Sequence, residues 1–428
     1  MSTIRTITVS LLCAIATTAG AQKLVGGDIS MLPFYEESSA EYYDAHGNRI
    51  TDAIAFSRSE GMNAMRVRLF VNPSHATEQE KNEGVRQDLA LVKALGKRIK
   101  DADMSLLLDI HYSDTWADPS KQWTPEAWLT LDDNALAEQV YNYTTAVLQE
   151  MTAGGAAPDL IQTGNEISFG MLWGNRGTTD NRCFMGNTAH WERFGTLLRK
   201  ATEACRSVCP ASKIILHTER VAQPDVLLNF YQQMNALQVD YDIIGLSYYP
   251  YWHGGLDALE TALNQLETTF PSKSVMVVET GYYHHYQPSD VAYDLSDVYP
   301  VSLEGQCAFT AELVRRLNNH ASVTGLFWWF PEANEYGNPW ETAVTPSGWY
   351  NAGLFDNETG HVNPAFFELK NFLNGATDMG FQTAIDPLSA GNQRVFTLNG
   401  QSVNAQNIPN GIYVVGNHRS FRKILMRR

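Results

Sequence analysis

Eight short apolar runs recur along the 428-residue chain with helix-like stretches between them, and this repeat restricts the fold more than any other feature. The runs are VGGDIS, NAMRVRLF, SLLLDIHY, DLIQTGNE, KIILHTER, YDIIGLSYYP, SVMVVETGYY and VTGLFWWFP. Each is continuous rather than alternating, as expected of strands covered on both faces. Between them lie amphipathic segments such as VRQDLALVKALGKRIKDA, ALAEQVYNYTTAVLQEMT and GQCAFTAELVRRLNNH, whose apolar residues follow helical spacing. Strand then helix, repeated eight times, predicts an α/β fold of the (β/α)8 TIM-barrel type. A doubly wound sheet is the rival, but it normally carries a Gly-rich phosphate turn after its first strand, and GGDIS offers no G-x-G-x-x-G.

The ends of the chain differ from this pattern. Residues 1–21 combine Arg5, the apolar run TVSLLCAIATTAG and the small residues Ala19-Gly20-Ala21 before Gln22. They read as a secretory signal peptide, not a membrane span, and predict a secreted, cell-surface or periplasmic protein. No later stretch is apolar over the roughly 18 residues a span requires, so no membrane-crossing segment is expected. The barrel is expected over residues 22–376 and a β-rich tail over 377–428, where NG dipeptides separate VFTLNGQSV, NIPNGIYVVG and FRKILM. Residues 391–428 hold six Lys or Arg and no acid, so the rest of the chain is more acidic than the net charge of −16 by that same six. This tail resembles the C-terminal sorting tails of Bacteroidota secreted proteins; an added β-hairpin module or a disordered end is the alternative. The negative charge argues against a nucleic-acid partner and fits a neutral substrate. Cys183, Cys205, Cys209 and Cys307 are too few for a disulfide-built fold and are not spaced as a zinc ribbon. Whether Cys205 and Cys209 pair is left open.

Glu166 in DLIQTGNEISFG and Glu279 in KSVMVVETGYY end the fourth and seventh runs. An apolar strand that stops at an acid puts a carboxylate at the mouth of a parallel barrel, and two of them read as an acid/base and nucleophile pair able to cleave a glycosidic bond. Arg66 and Arg68 are one strand repeat apart and share a face. Asp28, Asp109, His111 and Asp114 close the first and third runs, where short polar side chains bond sugar hydroxyls or orient the acid. Asp109-x-His111 could also ligate a metal, but such a barrel would bring further histidines to other strand ends and only His217 appears; no metal and no cofactor are expected. His284-His285 is assigned to a loop surface, since neighbours in an extended chain point apart. Trp116, Tyr248, Tyr249, Trp252, Trp328 and Trp329 cluster at the strand ends as a platform for sugar faces.

The strand-four, strand-seven pairing resembles a large clan of retaining glycosidases. Asn165, before the first glutamate, belongs to that resemblance and implies a bond to the sugar 2-hydroxyl. GMNAMRVRLFVNPS, SLLLDIHYSDTWADPSKQWTPEAW, TGNEISFGMLW, DIIGLSYYPYW, VMVVETGYY, GLFWWFPEA and AGLFDNETGHVNPAF resemble glycoside hydrolase family 53, the endo-β-1,4-galactanases, from Gly27 to Leu373. The resemblance implies Glu166 as general acid/base, Glu279 as nucleophile and Arg66 as the group holding the nucleophile charged. It marks Trp116 and Trp329 as subsite aromatics, with Trp328 turned to the outer layer. It implies a secreted, retaining enzyme whose partner is β-1,4-galactan, the side chain of pectin (type I arabinogalactan), or its oligosaccharides; a monomer is expected. Another β-1,4-endoglycanase of the same clan, a mannanase or cellulase, is the alternative, and a non-catalytic sugar-binding barrel is a third reading. Two departures stand out. Trp329 is followed by Phe330-Pro331 where the family commonly has Glu-Pro, and a glutamate arrives only at Glu332. YYHHYQPSDVAYDLSDVYPVS lacks the alternating ligands of the calcium loop found in several bacterial members, so no structural calcium is expected there.

Overall fold

A computed structural model describes residues 22–184, 188–287, 291–338, 344 and 351–374, together with the backbone of tail strands at 394–397, 402–403, 411–417 and 420–426. The leader expected at 1–21 lies outside the described residues. Eight parallel strands close a barrel in chain order: β1 Leu24–Asp28, β2 Ala64–Leu69, β3 Ser105–Ile110, β4 Leu160–Thr163, β5 Lys213–Thr218, β6 Ile243–Tyr248, β7 Ser274–Thr280 and β8 Val323–Trp329. β1 pairs with both β2 and β8, which completes the ring. Each apolar run contains one strand. The fourth is shorter than its run suggests, because pairing stops at Thr163, ahead of Glu166.

The helices between strands begin where a short polar side chain accepts orphan amide hydrogens. Asp88 accepts from Leu91 N at the start of Leu89–Asp101, Asp132 from Ala135 N at Asp133–Ala153, and Ser302 from Gly305 N at Leu303–Leu317. Their apolar faces cover the outward side chains of the strands, among them Met65, Val67, Leu108, Leu216 and Leu246.

Strand alternation sends the other set inward, and that set changes character along the barrel axis. Near the strand starts it is apolar: Ala64, Leu107, Leu160, Ile215, Ile243 and Phe327 pack together. Near the strand ends the same faces carry Arg66, Arg68, Asp109, Gln162, His217 and Ser247, all with 0% exposure. The barrel is therefore a plugged core with a polar floor at its C-terminal mouth, where barrels of this type keep their chemistry. Gly26 allows β1 to approach β2, since a Cβ there would lie 1.7 Å from the Ala64 carbonyl oxygen.

The chain divides after Leu373, and the second unit, 374–428, contains a four-stranded antiparallel sheet of Arg394–Thr397, Ser402–Val403, Gly411–Asn417 and Ser420–Met426. Among the described residues no helix is long and apolar enough to cross a membrane. Cys183, Cys205 and Cys209 are free thiols, and Cys209 lies one helical turn beyond Cys205.

Candidate active site

Glu166 reaches the mouth through a strained turn. After β4 the chain passes Gly164 at φ +94° and Glu166 itself at φ +47°, a left-handed conformation that costs a non-glycine residue about 1–3 kcal/mol. The turn is stapled at both sides. Gly164 N donates to Ile110 O at 3.0 Å, Ile167 N to His217 O at 2.9 Å, and Gln122 Nε2 to the Asn165 carbonyl at 2.7 Å. Tyr112 (φ +51°) and Phe330 (φ +50°) bend the chain in the same way just past β3 and β8.

Glu279 reaches the mouth by a different device. Against both β6 and β8 the register of β7 slips by one residue beyond Val277. The extra residue is a β-bulge, which re-aims a side chain without ending the strand. Val278 joins the inner apolar layer, and the next residue, Glu279, also turns into the mouth.

The two carboxylates meet over one hydroxyl. Ser247 Oγ lies 2.7 Å from Glu166 Oε1 and 3.4 Å from Glu279 Oε2. His217 backs this hydroxyl: its Nδ1 accepts from the Glu166 amide at 3.3 Å, which leaves the proton on Nε2, 2.9 Å from Ser247 Oγ. Burial, then the Arg66 charge, holds the His217 pKa well below the usual imidazole value, so the ring is neutral.

Glu279 sits on a cationic frame. Arg66 Nη2 is 2.9 Å from Glu279 Oε1, 2.8 Å from Asp109 Oδ2 and 2.9 Å from Asn165 Oδ1, while Nη1 is 2.8 Å from Asp28 Oδ2. Burial opposes the Arg66 charge, but Asp109, Glu279 and Asp28 outweigh it and raise its pKa. Tyr249 Oη donates to Glu279 Oε2 at 2.9 Å. Burial pushes the Glu279 carboxyl up to about 7 even against the pull of Arg66. Among the described residues no such cation pairs with Glu166; burial, then repulsion from Glu279 and Glu219, drives it well above the carboxylate range.

These groups floor a cleft of about 630 Å³ lined by the neighbouring rings of Trp116, Trp329 and Phe330, by Glu219, Arg220 and Gln223, and by Tyr249 and Trp252. Arg68 lies under the aromatic wall, 4.7 Å from the Trp116 ring centre and 5.1 Å from that of Trp329.

The chain matches the family described as Glycosyl hydrolase family 53 over residues 24–368. It belongs to that family. An arabinogalactan endo-beta-1,4-galactanase of Cellvibrio japonicus is 32% identical over 85% of this chain and 95% of its own length. Arabinogalactan endo-beta-1,4-galactanase A of Emericella nidulans is 33% identical over 75% of this chain and 88% of its own. The solved GH53 catalytic domain of Ignisphaera aggregans is 31% identical, covers 82% of this chain and 96% of its own, and superposes with a TM-score of 0.71. The protein is thus a glycoside hydrolase with a (β/α)8 barrel.

Within this family 53 barrel the expected residues fall into three groups. Trp116, Asn165, Glu166, Glu279 and Trp329 line the cleft. Asp28, Arg66, Arg68, Asp109, His111 and His217 form the layer beneath it: Asp28 bridges Arg66 and Arg68, Asp109 accepts from Gln162 Nε2 at 2.6 Å, and His111 Nε2 lies 3.0 Å from Asp109 Oδ2. Two expectations need correction. Tyr248 is not in the cleft. Ser247 takes the inward position of β6, so Tyr248 points outward, donates to Gly254 O at 3.0 Å and stacks on Phe309; its neighbour Tyr249 occupies the site. Asp114 is not in the cleft either; its Oδ2 lies 2.9 Å from His75 Nδ1 and accepts from the Glu126 amide at 2.9 Å, tying surface loops together.

Other positions refine the reading. His284 is 7% exposed, buried where a loop surface was expected, while His285 is exposed. Trp328 packs in the outer layer and donates to Ala352 O at 2.7 Å. Phe330 lines the cleft where the family pattern has a glutamate, and Glu332 is turned away, accepting from the Met31 amide at 3.0 Å. Burial raises that carboxyl to about 8. No three His, Cys, Asp or Glu side chains among the described residues are grouped as metal ligands; residues 288–290 of the segment compared with a calcium loop lie outside the described set. Ser247, Gln162, Glu219 and Arg220 were not foreseen. Counting inward positions along β6 would have found Ser247 in place of Tyr248.

Proposed function

We propose that this chain is a secreted, retaining endo-β-1,4-galactanase that cuts the galactan side chains of pectin by double displacement. The observation that carries the mechanism is the Ser247 hydroxyl within 2.7 Å of one carboxylate and 3.4 Å of the other. Carboxyls bridged by a single hydroxyl leave too little room for the attacking water of an inverting pair, which needs roughly 6.5–9.5 Å. Glu279, ionised on Arg66 and steadied by Tyr249, attacks the anomeric carbon while Glu166 donates its proton to the departing glycosidic oxygen. The resulting glycosyl ester is opened by a water that gives its proton back to Glu166, restoring both groups and the starting anomeric configuration. Asn165, oriented by Arg66 at 2.9 Å and by its own Nδ2 bond to Ala117 O at 2.8 Å, contacts the 2-hydroxyl as the ring flattens. Trp116 and Trp329 stack sugar faces on the glycone side. The galactan substrate is supported by the family and by the names of its relatives. Export is supported by the pattern of residues 1–21.

The test is product analysis on linear β-1,4-galactan beside mannan and cellulose, with the anomer of the first product read by NMR. The expected result is galacto-oligosaccharides released from galactan as β-anomers. Faster cleavage of mannan or cellulose would replace the substrate, a first-formed α-anomer would replace the mechanism, and binding without any product would favour a sugar-binding barrel.

A further inference from the structure

The polar wall of the cleft holds two charged residues that neither attack nor donate a proton in double displacement. Glu219 and Arg220 follow β5 directly and line the cleft beside Glu166. Arg220 Nε lies 2.6 Å from Glu219 Oε1 and donates to Ser168 Oγ at 3.2 Å, and Ser168 donates to the same Glu219 oxygen at 2.5 Å. Ser168 is two residues beyond Glu166, so the pair is tied to the turn that carries the acid. The Arg220 guanidinium also stands 4.2 Å from the centre of the Phe169 ring, a contact Arg182 makes at the same distance. Its far end is less committed: Nη1 reaches Gln223 only at 3.5 Å, and the side chain is 18% exposed.

We infer that Arg220 is a specificity-determining residue for the sugar on the leaving-group side of the scissile bond, with Glu219 and Phe169 as positioning residues that hold its fork at the cleft wall. This rests on the double-displacement reading, in which Glu166 protonates the leaving oxygen and the departing sugar therefore lies on the Glu166 side. The aromatic part of the lining, Trp116 and Trp329, packs on Arg68 instead. A guanidinium offers only donors, in a fixed plane suited to neighbouring hydroxyl oxygens. Burial raises the Glu219 carboxyl to about 7, and once it is ionised its pairing with Arg220 at 2.6 Å balances the charge, so the wall then suits a neutral polyhydroxylated ring such as galactose rather than a uronic acid. The fork is assembled before substrate arrives, which lowers the ordering cost of binding.

The test compares β-1,4-galactotetraose with 4-nitrophenyl β-1,4-galactobioside, whose aryl group stands where the leaving sugar would, in the full chain and its Arg220→Met, Arg220→Lys and Glu219→Gln variants. Thermal melting checks that each variant is folded. For Arg220→Met, kcat/KM on galactotetraose should fall roughly 10- to 100-fold, the scale of one lost charged hydrogen bond, and the aryl substrate should lose far less. Arg220→Lys should fall in between, and Glu219→Gln should raise KM for the tetraose more than it lowers kcat. Equal losses on both substrates, or no loss on either, would overturn the assignment. So would a tetraose deficit that disappears when each variant is assayed at its own pH optimum, because the pair would then act only on the Glu166 proton. An unaltered chain that leaves galactotetraose intact removes the galactanase reading itself, whereas an active chain with indifferent variants removes only the role of Arg220.

Discussion

Glu166 and Glu279 share one cleft and one bridging hydroxyl, yet the protein treats them oppositely. Glu279 is 4% exposed, projects from a bulged strand and touches a guanidinium and a phenol. Glu166 is half-buried on a strained turn, and its described polar contact is a serine hydroxyl backed by a neutral histidine. Burial raises the pKa of both, but among the described residues only Glu279 has a cation to counter it. The first proton lost by the pair is therefore assigned to Glu279 and the last to Glu166. On the proposed double displacement, this prepares one carboxylate to attack and the other to donate, although the residue type is the same.

The most severe way to test this asymmetry is to delete each acid. Glu279→Ala should lower kcat on galactan by at least about 10⁴-fold, with no trapped glycosyl-enzyme in rapid-quench mass spectrometry. Glu166→Ala should cost roughly 10²- to 10⁴-fold on galactan and much less in the first step of an activated aryl glycoside, whose departure needs no proton. Equal losses of Glu166→Ala on both substrates would contradict the acid assignment.

Removing the cation should erase the difference. Arg66→Met leaves Asp28, Asp109 and Glu279 around a lost charge, and breaking such a buried set costs about 3–5 kcal/mol, visible as a lowered melting temperature. The folded fraction should also show a raised acid limb in its pH profile, since Glu279 would then hold its proton to higher pH.

Two hydroxyl deletions sharpen the comparison. On the proposed mechanism, activity should be lost below the Glu279 pKa, where the nucleophile is protonated, and above the Glu166 pKa, where the acid is spent. Tyr249 lowers the Glu279 pKa by hydrogen bonding, so Tyr249→Phe should move the acid limb to higher pH and cost roughly 10-fold in kcat. Ser247 lowers the Glu166 pKa, so Ser247→Ala should move the alkaline limb to higher pH. Limbs that move the other way round would reverse the assignment of the two acids. The smallest expected effect belongs to Tyr248→Phe, which should cost about 1 kcal/mol of stability through its bond to Gly254 and leave kcat/KM on galactan within about twofold.

The barrel was legible because its signal is local. Each strand is a short apolar run, and the two-residue alternation that puts Arg66 and Arg68 on one face follows from backbone geometry alone. The same alternation, carried through β6, distinguishes Ser247 from Tyr248. Choosing the tyrosine followed residue type instead of parity. Asp114 was misread for another reason. Past a strand end the chain no longer alternates, and only the loop contacts with His75 and Glu126 reveal where that side chain goes. Glu219 and Arg220 gave no signal at all, because an acid and a base side by side at a strand end look like solvated surface.

From the sequence alone came the eight-stranded barrel, the family, and two acidic residues at the ends of the fourth and seventh runs. Tertiary structure alone decided how those acids face each other, through the left-handed turn at Glu166, the one-residue slip in β7, and an arginine from β2 that binds Glu279 and not Glu166. Periodicity is a property of neighbouring residues and survives in a linear string. The charge on a buried carboxylate depends on groups from other strands, and that environment exists only once the barrel has closed.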